Sequence, residues 1–127
     1  MKLLFNPRTS RIVVRADVVG RTQVSTVNLL LDTGASTSVL SETILAELGY
    51  DPQGEGEPTS MTTGSGTEPA LRIVIEGLAA MGRFRSDFPV VCYDLPPEAG
   101  VDGALGLDFF RGHVLTLDFV NGILTFE

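Results

Sequence analysis

Three consecutive leucines, Leu29-Leu30-Leu31, run directly into Asp32 and then into Thr33-Gly34-Ala35-Ser36. A carboxylate at the end of an apolar strand is costly unless hydrogen bonds or a function compensate it. Gly34 permits backbone geometry that other residues avoid, so the turn can aim N–H groups at the carboxylate. Thr33 adds a hydroxyl that can hold neighbouring backbone, and Ala35 is small enough for close packing. An Asp that merely opens a turn is common. This one follows a wholly apolar run and precedes a short capped helix, a setting that an ordinary turn does not require.

The rest of the chain reads as short strands separated by turns. Arg11 to Val19 and Val24 to Leu31 are β-branched and apolar, and Gly20-Arg21 between them predicts a hairpin. The leucine run predicts a strand end buried on both faces. Val39 and Leu40 re-enter the core. Ser41 can cap a short helix, with Glu42 near its positive end. Ile44, Leu45 and Leu48 would share one face of it, and Gly49 would stop it. Residues 51–69 are polar and rich in Gly and Pro, which fits a long loop or an exposed, mobile hairpin. Ala70 to Ile75 and Arg83 to Tyr93 read as strands, and Pro96-Pro97 begins another loop. Ala104-Leu105 is a short apolar segment before Gly106, and Leu107 to Arg111 makes one or two helical turns. Val114 to Phe119 and Ile123 to Phe126 flank Asn121-Gly122, a strong hairpin signal. The fold class is therefore all-β with one or two short helices, in one domain over residues 1–127. A weak internal echo is present, since an apolar run, a Gly turn and a short helix occur around Asp32 and again around Gly106.

Composition narrows the function. The net charge is −7, with 16 acidic and 9 basic residues, which argues against nucleic acid or anionic lipid as partner. One Cys and one His cannot form a zinc site or an internal disulfide. No metal or other cofactor is expected. Cys92 lies in the apolar run Phe88 to Tyr93 and reads as a structural thiol. His113, beside Gly112, reads as an ordinary side chain. The apolar stretch at Leu3-Leu4-Phe5 is too short for a signal peptide core, and no apolar run approaches a membrane span, so the chain reads as soluble and cytoplasmic.

The residues Leu29-Leu30-Leu31-Asp32-Thr33-Gly34-Ala35-Ser36, then Val39-Leu40, Met61 to Thr67, and Ala104-Leu105-Gly106-Leu107-Asp108-Phe109-Phe110 together resemble the retropepsin-like aspartic proteases. The likeness runs from about Ile12 to Phe126. It implies a closed acid-protease barrel with a flap hairpin, assembled as a homodimer. It implies that Asp32 is catalytic and that Thr33, Gly34 and Ala35 form the active-site loop. Thr63, Gly64, Ser65 and Gly66 would form a flap over an extended polypeptide substrate. An active site of this class needs two aspartates, and this chain has one Asp-Thr-Gly, so each subunit of a twofold dimer would give one Asp32. Two departures stand out. The segment Thr59 to Glu68 is more polar than the flap of the viral members, and the linker Asp51 to Pro58 is acidic and Gly-rich. Met1 to Ser10, besides, has no obvious match.

The remaining acidic residues read as structural. Asp102-Gly103 predicts an Asx-type turn, Asp108 a cap or solvated residue of the following helical turn, and Asp118 the polar side of its strand. Gly64-Ser65-Gly66 lacks the Lys and following helix of a phosphate loop. The competing reading is a catalytically silent dimerisation or peptide-binding module of the same fold, which grips a strand by backbone pairing. The complete Asp-Thr-Gly weighs against it, because an unused carboxylate there would only cost stability.

Overall fold

The computed structural model describes residues 1–127. Its strands are β1 (Lys2–Leu4), β2 (Val13–Val19), β3 (Val24–Leu31), β4 (Val39–Leu40), β5 (Glu57–Thr63), β6 (Gly66–Ala80), β7 (Arg83–Cys92), β8 (Gly103–Leu105), β9 (Leu115–Asp118) and β10 (Ile123–Phe126). The helices are α1 (Glu42–Glu47), α2 (Pro52–Glu55) and α3 (Leu107–Phe110), with a 3-10 turn at Pro97–Ala99. No helix is long and apolar enough to cross a membrane.

Alternation builds the first hairpin. Val14, Ala16 and Val18 of β2 are buried, while Val13, Arg15 and Asp17 face out. This period of two gives β2 one core face. β3 pairs with it antiparallel, Val14 opposite Leu29. The strands then close on themselves in the order β2-β3-β8-β4-β7-β6 and back to β2, a barrel of six. The contacts β3–β8 and β4–β7 are parallel, and the others are antiparallel. β5 lies outside this ring, paired only to β6. A second, three-stranded sheet runs β1-β10-β9. Phe109 joins the two parts. It stacks on Phe126 of β10 at 5.9 Å and meets Phe88 of β7 edge-on at 6.1 Å. Burying such a side chain contributes about 1.5–3 kcal/mol.

The helix α1 follows its sequence. Ser41 Oγ accepts from the Ile44 N–H at 3.3 Å. Leu45 and Leu48 are fully buried, and Gly49 ends the helix at φ +88. Several features differ from expectation. Residues 51–69 are neither a plain loop nor only a hairpin, because α2 forms first, capped by Asp51. The strand expected over Ala70 to Ile75 extends from Gly66 to Ala80. Gly77 does not interrupt it, because the Phe84 ring occupies the space its missing side chain leaves. Residues 2–4 form a strand against β10. Finally, Leu29 is buried, but Leu30 and Leu31 are only half-buried, because the barrel core covers one face of β3.

Candidate active site

The end of β3 fixes Asp32. Leu31 donates its N–H to the Ile12 carbonyl at 2.8 Å, and Asp32 donates its own to the Leu105 carbonyl at 3.0 Å. The chain then turns, with the Ala35 N–H on the Asp32 carbonyl at 3.2 Å. Gly34 gives its N–H to Asp32 Oδ1 at 2.9 Å. A side chain at Gly34 would place its Cβ 3.1 Å from that same oxygen. Glycine therefore keeps the approach to the carboxylate open. Asp32 itself is half-buried, while Thr33 and Gly34 are exposed.

A second loop crosses the first. Leu107 donates its N–H to the Ala35 carbonyl at 2.8 Å. Gly106 lies so close that a Cβ there would stand 2.7 Å from the Thr37 carbonyl and 2.8 Å from that of Ala35. Beneath the crossing sits Ser38, buried and polar. It receives the Gly106 N–H on Oγ at 3.0 Å. Its hydroxyl donates to Asp108 Oδ1 at 2.7 Å, and its N–H donates to Asp108 Oδ2 at 2.9 Å. Each polar group of Ser38 thus has a partner, its carbonyl accepting from Val91. Buried networks of this kind rigidify only when fully satisfied.

Two of the acidic residues do other work than expected. Asp108 does not cap α3; half-buried, it grips Ser38, a residue far away in sequence. Asp102 does not close an Asx turn; its carboxylate takes the Asn28 N–H at 2.9 Å and so steers β8 onto β3. Asp118 closes the β9–β10 turn, accepting from the Asn121 N–H at 2.9 Å, which holds its carboxyl below the usual range. His113 packs on Phe126 at 5.0 Å. Ser38 escaped the sequence reading. Its one signal is a polar residue placed directly before the apolar pair Val39-Leu40 that enters the core.

The Gly-rich hairpin stands apart. β5 and β6 meet at a two-residue turn, with Thr63 opposite Gly66. Thr63, Gly64, Ser65 and Gly66 bond only among themselves here. Thr63 Oγ1 takes the Ser65 N–H at 3.2 Å and donates to the Gly66 carbonyl at 3.3 Å. Gly66 adopts φ +120, a conformation that side chains disfavour. No group of three or more His, Cys, Asp or Glu side chains gathers as a metal-binding set. Two cavities, of about 730 and 440 Å³, are lined by other residues than Asp32.

A family model described as aspartyl protease matches residues 14–109, from β2 through the crossing to α3. The chain belongs to the aspartyl protease family. Members of this family are proteases, hydrolases of the peptide bond. Solved structures agree with the barrel described above. A retropepsin-like aspartic protease from Rickettsia conorii superposes with a TM-score of 0.71 at 17% identity, over 98% of this chain and 88% of that one. The protease of EIAV, in complex with the inhibitor HBY-793, gives 0.63 at 22% identity, over 86% and 92%. The fold is therefore retropepsin-like. No curated protein matches the chain by sequence.

Proposed function

We propose that this aspartyl protease is an endopeptidase for extended polypeptides, active as a homodimer in which Asp32 of each subunit forms the dyad. The observation that carries the reading is the crossing itself. It holds one half-buried carboxylate by one N–H and leaves Oδ2 without a partner in the chain. A second copy of the same loop supplies the missing carboxylate and the other wall of a cleft.

In such a pair, two carboxylates in contact cannot both ionise cheaply, so they share a proton. The ionised one acts as general base on the water between them. The protonated one donates to the substrate carbonyl and stabilises the tetrahedral intermediate. Thr33, Gly34 and Ala35 hold the loop, and Thr63 to Gly66 act as a flap over the bound chain. The test is dilution combined with mixing. Specific activity on a mixed peptide library is expected to fall as the protein is diluted toward its dimer dissociation constant. Adding Asp32→Asn protein is expected to poison the unmodified chain by forming mixed dimers. A chain that is monomeric at every concentration yet cleaves at full rate would refute the dimer.

A further inference from the structure

A cavity lies away from Asp32, on the outer side of β2, between β1 and the turn joining β6 to β7. Its volume is about 730 Å³, and most of its lining is apolar. Several apolar side chains of that lining are left in the open: Leu4 is 85% exposed, Phe84 55% and Val13 44%. Apolar surface gathered in one groove marks an interaction site more often than scattered residues do.

Two features say what the groove would take. The first is charge. The chain carries −7 overall, yet the charged residues lining this groove are Arg15, Arg83 and Asp17. Asp17 accepts from Thr26 Oγ1 at 2.7 Å. Neither arginine has an ion-pair partner, since the one salt bridge in the chain joins Arg21 and Glu55. The second is backbone. β1 is an edge strand whose single neighbour is β10, so its other edge offers unpaired N–H and carbonyl groups beside the groove.

We propose that this groove docks an extended peptide segment of alternating apolar and acidic residues, added as a further strand on the free edge of β1. Backbone pairing to β1 supplies affinity, apolar side chains enter the groove beside Phe84 and Val13, and carboxylates meet Arg15 and Arg83. A twofold copy of the same face is a poorer occupant, because it sets arginines against arginines. The site is separate from Asp32 and does not depend on that residue's role.

The probe is a fluorescein-labelled octapeptide of alternating Val and Glu, capped at both ends. It is titrated by fluorescence anisotropy into the full chain carrying Asp32→Asn, which keeps the probe intact. Saturable binding is expected, weakened about tenfold by Arg15→Glu with Arg83→Glu. Both arginines are exposed, and melting curves check that the variant folds. The neutral pair Arg15→Gln and Arg83→Gln is expected to fall between. A Lys-for-Glu probe and a probe with N-methylated alternate amides are both expected to bind weakly. Equal binding of the Lys probe, or undiminished binding by the Glu variant, would overturn charge recognition. Equal binding of the N-methylated probe would overturn strand pairing. Absence of saturable binding overturns the proposal, as does a dimer in sedimentation that the arginine substitutions dissolve, since a second copy then covers the face. The same arginine substitutions in the Asp32 chain are expected to leave peptide cleavage unchanged, which separates this site from the dyad.

Discussion

At Gly106 an added Cβ would stand 2.7 Å from the Thr37 carbonyl, whereas at Gly64 and Gly66 it would meet nothing within 4 Å. Both places are glycine turns, but glycine serves different ends in them. At the crossing it permits two backbones to touch. At the hairpin tip, Gly66 supplies a backbone angle, φ +120. The crossing is bound from several directions, by Leu105, Leu107, Ser38 and Asp108. The tip is bound only to itself. One region holds a carboxylate in place, and the other makes no side-chain hydrogen bond outside its own turn.

The sharpest way to break the comparison is at Asp32. Asp32→Asn keeps the Gly34 N–H contact, because the amide oxygen accepts it as the carboxylate does. The fold should therefore persist, while peptide cleavage falls by roughly 10²–10⁴-fold with the general base gone. Cleavage assays beside melting curves decide it, and undiminished turnover would remove Asp32 from the mechanism.

The crossing should show its rigidity as stability. Asp108→Ala strands the Ser38 N–H and hydroxyl without acceptors, at a cost of about 1–3 kcal/mol. Gly106→Ala drives a methyl into the Thr37 and Ala35 carbonyls, with a cost of about 1–3 kcal/mol. Urea midpoints measure both, and a midpoint unchanged in either variant would contradict the packing described. Activity should fall along with stability, since both substitutions displace the loop that holds Asp32.

The tip should behave in the opposite way. Gly66→Val forces a branched side chain into φ +120, a strain of about 1–3 kcal/mol that the exposed turn relieves by rearranging. Turnover should drop by up to about tenfold while the urea midpoint barely moves. Gly64 has no positive φ, so Gly64→Val should have a much smaller effect. Equal activity in both variants would make the hairpin a surface feature without a role in catalysis.

The same contrast explains what the sequence disclosed. The β2–β3 hairpin, the Ser41 cap and the Asn121-Gly122 turn each rest on neighbouring residues, and each forms as read. What stayed hidden depends on distant partners. β1 is three residues long and exists because β10 receives it from the other end of the chain. α2 is one turn of Pro, Gln, Gly and Glu, held by Asp51 and by the Arg21–Glu55 pair. β6 outruns its apolar core pattern because it changes partners, pairing with β5 near the tip and with β7 and β2 further on. Asp102 and Asp108 looked like local turn residues, since nothing near them names Asn28 or Ser38. The acidic residue with a legible setting was Asp32, whose own strand and turn surround it.

Cys92 offers the finest probe of the boundary between the two regions. It ends β7, opposite Leu71 at the root of the hairpin and beside Leu40, which leads out of the crossing. Burial pushes its thiol up to about 11, helped by the nearby Glu42 and Asp94 carboxylates. At pH 8 such a thiol is only ~0.1% thiolate, so iodoacetamide should react about a hundredfold slower than with the urea-unfolded chain. The rate should climb about tenfold per pH unit to pH 10, following the thiolate fraction. Linkage has a definite sign here. A raised folded value gives a stabilising contribution that is intact below the ordinary value of 9.0 and disappears as pH rises through about 11. Alkylation then separates the two regions. Gly66→Val should label at the parent rate, because its strain ends at the tip. Asp108→Ala should label faster, because loosening the crossing opens the end of β4 against Cys92. Rapid labelling of the parent at pH 8 would show that the hairpin root opens freely.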